Sequence, residues 1–185
     1  MKLNLQSIES APESSRPLLE GAQASFGFIP NLLGTLANAP AALEGYLALS
    51  GALGKSSLSP VEQEVITITA SVENGCRYCV AGHTTIGQMR KVDADVLVAL
   101  REGMAIADPK LESLREFTLA VVRDRGWVSE EQQEAFFKAG YTPAQALEVV
   151  LGVTMKTLSN YTNHLVKTPL DPAFAANEWR ESATV

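Results

Sequence analysis

The stretch Ser59-Pro60-Val61-Glu62-Gln63-Glu64-Val65-Ile66-Thr67-Ile68-Thr69 reads in two opposed ways. Its β-branched run, 65–69, favours a strand on propensity, because branched side chains fit a pleated surface. Its start says otherwise. Ser59 stands at a cap position, Pro60 falls in the first turn, and Glu62 follows the serine by three residues, so the three make a capping box. Val61, Val65, Ile68 and Val72 then recur at helical spacing, and Asn74-Gly75 supplies a stop. The helix reading prevails.

The next residues, Cys76-Arg77-Tyr78-Cys79-Val80-Ala81-Gly82-His83, hold both cysteines of the chain and one of its two histidines. Gly75 breaks the chain between helices, so the cysteine pair opens a second helix that runs to about residue 89 or 90. A helix N-terminus offers free N–H groups and partial positive charge, which favour a thiolate over a thiol.

Helix signals continue in both directions. Upstream, residues 1–11 read as an extended arm, 16–25 and 31–37 as short helices, and 40–54 as a longer one carrying Leu43, Tyr46 and Leu47. Downstream, Asp93 caps a helix closing at Gly103, and Pro109 begins another that ends near Gly126-Trp127. Ser129 and Thr142 each open capping boxes. The last of these starts the longest helix, from Pro143 to about Lys167, with Leu147, Val150, Leu151, Leu158, Tyr161 and Leu165 at three- and four-residue steps. Its first half is apolar nearly all round, which predicts burial on several sides, a subunit contact among them. The tail, 169–185, reads as a short last packed segment. The result is an all-α multi-helix bundle forming one domain over 1–185: N-terminal arm and helices over 1–58, a redox-site helix pair over 59–90, and C-terminal helices over 91–185. The similar openings at Ser59-Pro60 and Thr142-Pro143 hint at a weak internal duplication.

Composition narrows the function classes. A chain of 185 residues, 46% hydrophobic and 19% charged, suits one soluble domain with a real core. A net charge of −6 without any basic run argues against nucleic acid as a partner. No apolar run approaches the roughly 20 residues that span a bilayer, and the first residues lack the apolar core of a secretory signal, so a cytoplasmic location is expected. Closing so short a loop, a Cys-x-x-Cys disulfide would remove little chain entropy, so redox or metal chemistry is the better reading.

At about 100° per residue, Cys76, Cys79 and His83 fall within an arc of roughly 60° on one helix face, with Cys79 and His83 as i, i+4 neighbours. Tyr78 points away from that arc. On the preceding helix Glu64 flanks the apolar stripe, where burial is expected to raise its pKa and fit it for proton transfer. His164, without a companion motif, reads as a structural or surface residue, and Trp127, Trp179, Phe136 and Phe137 read as packing. Zinc is the chemical rival: Cys76, Cys79 and His83 are plausible ligands, but a structural site needs a fourth. Metal binding therefore ranks below thiol chemistry.

Glu64, then Cys76-x-x-Cys79-x-x-x-His83 beginning twelve residues later, resembles the alkylhydroperoxidase D-like (AhpD-like) branch of the carboxymuconolactone decarboxylase superfamily, in its peroxidase-related type. The likeness extends to Phe28-Ile29-Pro30-Asn31, to Leu58-Ser59-Pro60-x-Glu62-x-Glu64 and to residues 160–171. It implies an all-α fold assembling as trimers or hexamers, and thiol-dependent reduction of organic hydroperoxides or hydrogen peroxide without a bound cofactor. By position, Cys79 would be the peroxidatic nucleophile, Cys76 the resolving thiol, and Glu64 with His83 the proton relay. An external dithiol of lipoyl or thioredoxin type would restore the pair. The family's best-known peroxidases carry a second histidine between the cysteines, where this chain has Tyr78. The alternatives are a disulfide reductase or redox sensor without peroxidase turnover and, further off, a metal-binding structural oligomer.

Overall fold

The computed structural model describes residues 1–180, and among them there are helices and turns but no strand. In chain order the helices are α1 (Arg16–Phe26), α2 (Asn31–Leu36), α3 (Pro40–Gly54), α4 (Pro60–Glu73), α5 (Arg77–Met89), α6 (Ala94–Arg101), α7 (Pro109–Arg123), α8 (Glu130–Lys138) and α9 (Pro143–Val166). A 3-10 turn precedes α1 at Glu13–Ser15, and another follows α9 at Pro172–Asn177. The all-α reading holds, and residues 181–185 of the expected tail lie outside the described residues.

The ambiguous stretch is the helix α4. Ser59 N–H donates to Glu62 Oε2 at 2.8 Å and Glu62 N–H to Ser59 Oγ at 3.3 Å, so the capping box forms as read. Such a cap contributes on the order of 1 kcal/mol and sets the helix start. Burial does the rest: every residue of α4 from Glu62 to Ser71 is enclosed, because α3, α5, α6, α7 and α9 all pack on it. A helix buried on all sides accepts β-branched residues, since tertiary packing outweighs their propensity.

Two apolar clusters flank this central helix. One joins α4 with α6, α7, α8 and α9 through Ile66, Leu100, Leu114, Phe136 and Val149. The other joins α1, α2 and α3 with α5 and the C-terminal segment through Leu19, Leu36, Leu43, Ala81 and Phe174. Both cysteines belong to the second cluster, on the side facing α4 and α9. Gly152 permits the close approach of α9 to α4: a Cβ there would stand 2.7 Å from Ile66 Cγ2.

Two packing expectations fail. The apolar stripe of α9 does not face the core: Leu147 is 72% exposed, and Val150, Tyr161 and Leu165 also lie outward. The buried face instead carries Val149, Gly152, Met155, Lys156, Ser159, Asn160 and Asn163, since the site described below demands polar groups there. Trp127 is 88% exposed, in the turn between α7 and α8, and Phe137 is also exposed, whereas Trp179 and Phe136 are buried as read.

Candidate active site

Gly75 adopts a left-handed conformation, φ 65°, which lets the chain turn sharply out of α4. Cys76 N–H then donates to Ser71 O at 2.8 Å, leaving Cys76 as the cap residue of α5 and Cys79 in its first turn. Both cysteines are free thiols and both are buried. Only Cys79 reaches a cavity of about 600 Å3 whose walls come from α1–α5, α9 and the C-terminal segment. Phe26, Phe28, Leu33, Leu47 and Phe174 make it largely apolar, and Glu64, His83 and Lys156 line it too.

Glu64 is 2% exposed and three side chains converge on it. His83 Nδ1 is 2.9 Å from its Oε2, Thr67 Oγ1 donates to the same oxygen at 3.2 Å, and Arg90 donates to Oε1 at 3.0 Å. Burial alone pushes the carboxyl pKa up, as expected from sequence, but the His83 and Arg90 charges outweigh it and hold the group below its ordinary value. The expectation of a raised pKa is thus corrected, because the charge and hydrogen bond of His83, followed by the Arg90 charge, outweigh burial. Glu64 is an ionised anchor that orients His83 and leaves Nε2 as the ring nitrogen able to exchange protons in the cavity.

The two sulfurs are unequal. Burial pushes the Cys79 thiol up, but a hydrogen bond from Cys76 and the charges of Lys156 and His83 bring it well below its ordinary value. Cys76, donating to Cys79 and buried itself, moves the other way. The surroundings thus favour ionisation at Cys79 over Cys76. From α9, Asn163 Nδ2 lies 3.2 Å from Cys79 Sγ and 3.8 Å from Cys76 Sγ, and Ser159 Oγ lies 3.9 Å from Cys79 Sγ. Asn160 reaches Ser71 Oγ at 3.4 Å and accepts from Asn74 at 2.9 Å, tying α9 to the turn that carries Cys76.

The structure brings Cys76, Cys79, His83 and Glu64 into one neighbourhood. Among the described residues these groups form no cluster of three or more that could hold a metal ion. Sequence reasoning missed Asn163, Lys156 and Arg90. A signal was present for the first two, a polar stripe at helical spacing on α9, but the apolar residues between them concealed it. Tyr78, read as pointing away from the cysteine arc, proves to be a wall of the same cavity. Its hydroxyl donates to Asp171 Oδ2 at 2.5 Å and accepts from Leu32 N–H at 3.1 Å, while Asp171 also accepts from Asn31 N–H. His164 is exposed beside Tyr161, as its isolation suggested.

Fold and site together define an all-helical protein built around a buried dithiol. The carboxymuconolactone decarboxylase family profile matches residues 40–120. The chain is similar to the alkylhydroperoxidase AhpD core from Ralstonia eutropha JMP134, an uncharacterized peroxidase-related protein, at 25% identity over 94% of this chain and 93% of that one, with a TM-score of 0.83. An uncharacterized peroxidase-related protein from Silicibacter sp. TM1040 is 21% identical over 93% and 92% of the two chains, with a TM-score of 0.79. The debrominase Bmp8 shares the fold at 17% identity over 89% and 90% of the chains, with a TM-score of 0.75. No curated protein matches. Residues 40–120 thus resemble the carboxymuconolactone decarboxylase family, and the fold is that of AhpD-like helical proteins. Among the described residues, no helix is long and apolar enough to cross a membrane.

Proposed function

We propose that this protein is a thiol-dependent peroxidase that reduces organic hydroperoxides or hydrogen peroxide through a Cys76–Cys79 dithiol–disulfide cycle. The observation that carries this reading is the asymmetry of the pair: Cys79 alone lines the cavity, and its surroundings favour the thiolate. The thiolate attacks the distal peroxide oxygen and becomes a sulfenic acid while the other oxygen leaves as an alcohol or water. Cys76, still a thiol, condenses with it to a disulfide and releases water. An external dithiol of lipoyl or thioredoxin type restores the pair by exchange. His83, held by Glu64, carries protons between these groups. The apolar walls suit an organic hydroperoxide, and the peroxidase-related relatives support the same class of chemistry. The outward apolar face of α9 offers a surface for assembly as a trimer or hexamer.

Peroxide-dependent oxidation of a dithiol tests the reading, with wild type compared against Cys79→Ser. Loss of turnover in the variant is expected. Equal rates would remove Cys79 from the mechanism, and a Cys76–Cys79 disulfide that forms rapidly without turnover would make the protein a redox sensor instead.

A further inference from the structure

The peroxidase scheme gives Lys156 no step of its own, although its charge favours ionisation of Cys79. This residue is 1% exposed, belongs to the cavity wall with Cys79, and projects from the middle of α9. With Ser159, Asn160 and Asn163 it forms a buried polar face at i, i+3, i+4 and i+7. The other members of that face touch the sulfurs or the turn beneath Cys76. A lysine this enclosed ordinarily loses its proton, because burial disfavours the ammonium. The groups around it counter that: Cys79 and Cys76 on α5, Tyr46 on α3 and Glu64 on α4. Glu64 is already engaged by Arg90 and His83, and burial holds Tyr46 as a phenol. That leaves Cys79, which shares the cavity wall with Lys156, as the group whose ionised form the ammonium would pair with.

We propose that Lys156 is both the counter-charge of the Cys79 thiolate and the acid that protonates the oxygen leaving the hydroperoxide. The second half rests on the peroxidase reading; the first does not. As the sulfur–oxygen bond forms and the oxygen–oxygen bond breaks, the bonding pair departs with the proximal oxygen. That alkoxide takes the Lys156 proton and leaves as an alcohol. The ammonium becomes an amine just as its anionic partner becomes a neutral sulfenic acid, so no unpaired charge remains buried. Cys76 then displaces the sulfenic hydroxyl, its own proton completing the water. Thiolate, thiol, ammonium and hydroperoxide have become disulfide, amine, alcohol and water. When the external dithiol reduces the disulfide, the proton arriving at Cys79 passes to Lys156 and the ion pair is restored. His83 and Glu64 serve the proton transfers of the disulfide steps.

Two measurements test this. In the first, the reduced protein is titrated by thiolate ultraviolet absorbance and by its rate of alkylation with iodoacetamide. Wild type is expected to show a thiolate at neutral pH, Lys156→Met to react roughly tenfold or more slowly at pH 6, a shift of at least one unit, and Lys156→Arg to recover the wild-type profile. No thiolate in wild type, or an unchanged profile in Lys156→Met, overturns the counter-charge. The second needs no neutral variant: a single oxidation by cumene hydroperoxide in weakly buffered solution with a pH-indicating dye. Wild type is expected to exchange no net proton. Lys156→Arg, which cannot give up its proton, is expected to take up one per disulfide. Uptake of one proton by wild type overturns the acid role. Failure to consume hydroperoxide removes the peroxidase reading and the acid role together, while the alkylation profile still decides the counter-charge.

Discussion

Asn163 Nδ2 stands 3.2 Å from Cys79 Sγ, the shortest polar contact either sulfur makes from α9. A donor amide placed there favours the thiolate. Replacing Asn163 by Leu should cost about 1.5–3 kcal/mol of that stabilisation, the usual worth of a hydrogen bond to a charged group. Alkylation of Cys79 at neutral pH is then expected to slow by about ten- to a hundredfold, with its pH midpoint moved upward by about one to two units.

Glu64 offers a prediction with a definite sign. Its folded-state pKa lies below the ordinary value, so its contribution to stability is fully present above that ordinary value and is lost as pH falls through the folded one. Glu64→Gln should therefore flatten the acid limb of a stability–pH curve measured by denaturant unfolding. In the same variant His83 loses its charged anchor, and hydroperoxide turnover is expected to fall by about a hundredfold, the low end for a lost proton relay.

Tyr78→Phe separates stability from chemistry. It removes the hydroxyl between Leu32 N–H and Asp171, leaving the Leu32 N–H without that acceptor and Asp171 with the Asn31 N–H. A loss of about 1–3 kcal/mol in denaturant unfolding is expected. The Cys79 alkylation profile should stay where it is, since Tyr78 neither donates to the sulfur nor carries a charge.

Gly152→Ala tests the approach of α9 to α4. Alanine is the better helix former by about 1 kcal/mol, but its methyl would stand 2.7 Å from Ile66 Cγ2. Overpacking of this kind costs about 1–3 kcal/mol. A lowered denaturant midpoint is expected, together with weaker thiolate character, because Lys156 and Asn163 ride on the same helix.

Much of this was legible in the residues. Local signals placed the helices: capping boxes at Ser59, Ser129 and Thr142, and stops such as Gly75, depend on neighbours in sequence. Cys76, Cys79 and His83 share one helix, so their meeting follows from its period. Glu64 was legible because a carboxylate beside a buried stripe needs a partner. Arg90, Asn163 and Asp171 were not, since each reaches the site only through tertiary packing across 26, 84 or 93 residues. The side of α9 that faces inward was misjudged for the same reason. Hydrophobicity selects the apolar side, whereas the dithiol required the polar one.

Phe174 and Asp171 have a bearing beyond their contacts. The family profile ends at residue 120, yet the chamber before Cys79 is closed by residues on both sides of the matched region, from Phe26 to Leu33 and at Met155, Lys156 and Phe174. The cysteine pair with Glu64 and His83 thus lies inside the matched region, while part of the chamber wall, and the groups of α9 that attend the sulfur, lie outside it. Reshaping the chamber through Phe26, Phe28 or Phe174 therefore alters what reaches Cys79 while leaving the cysteine turn itself in place.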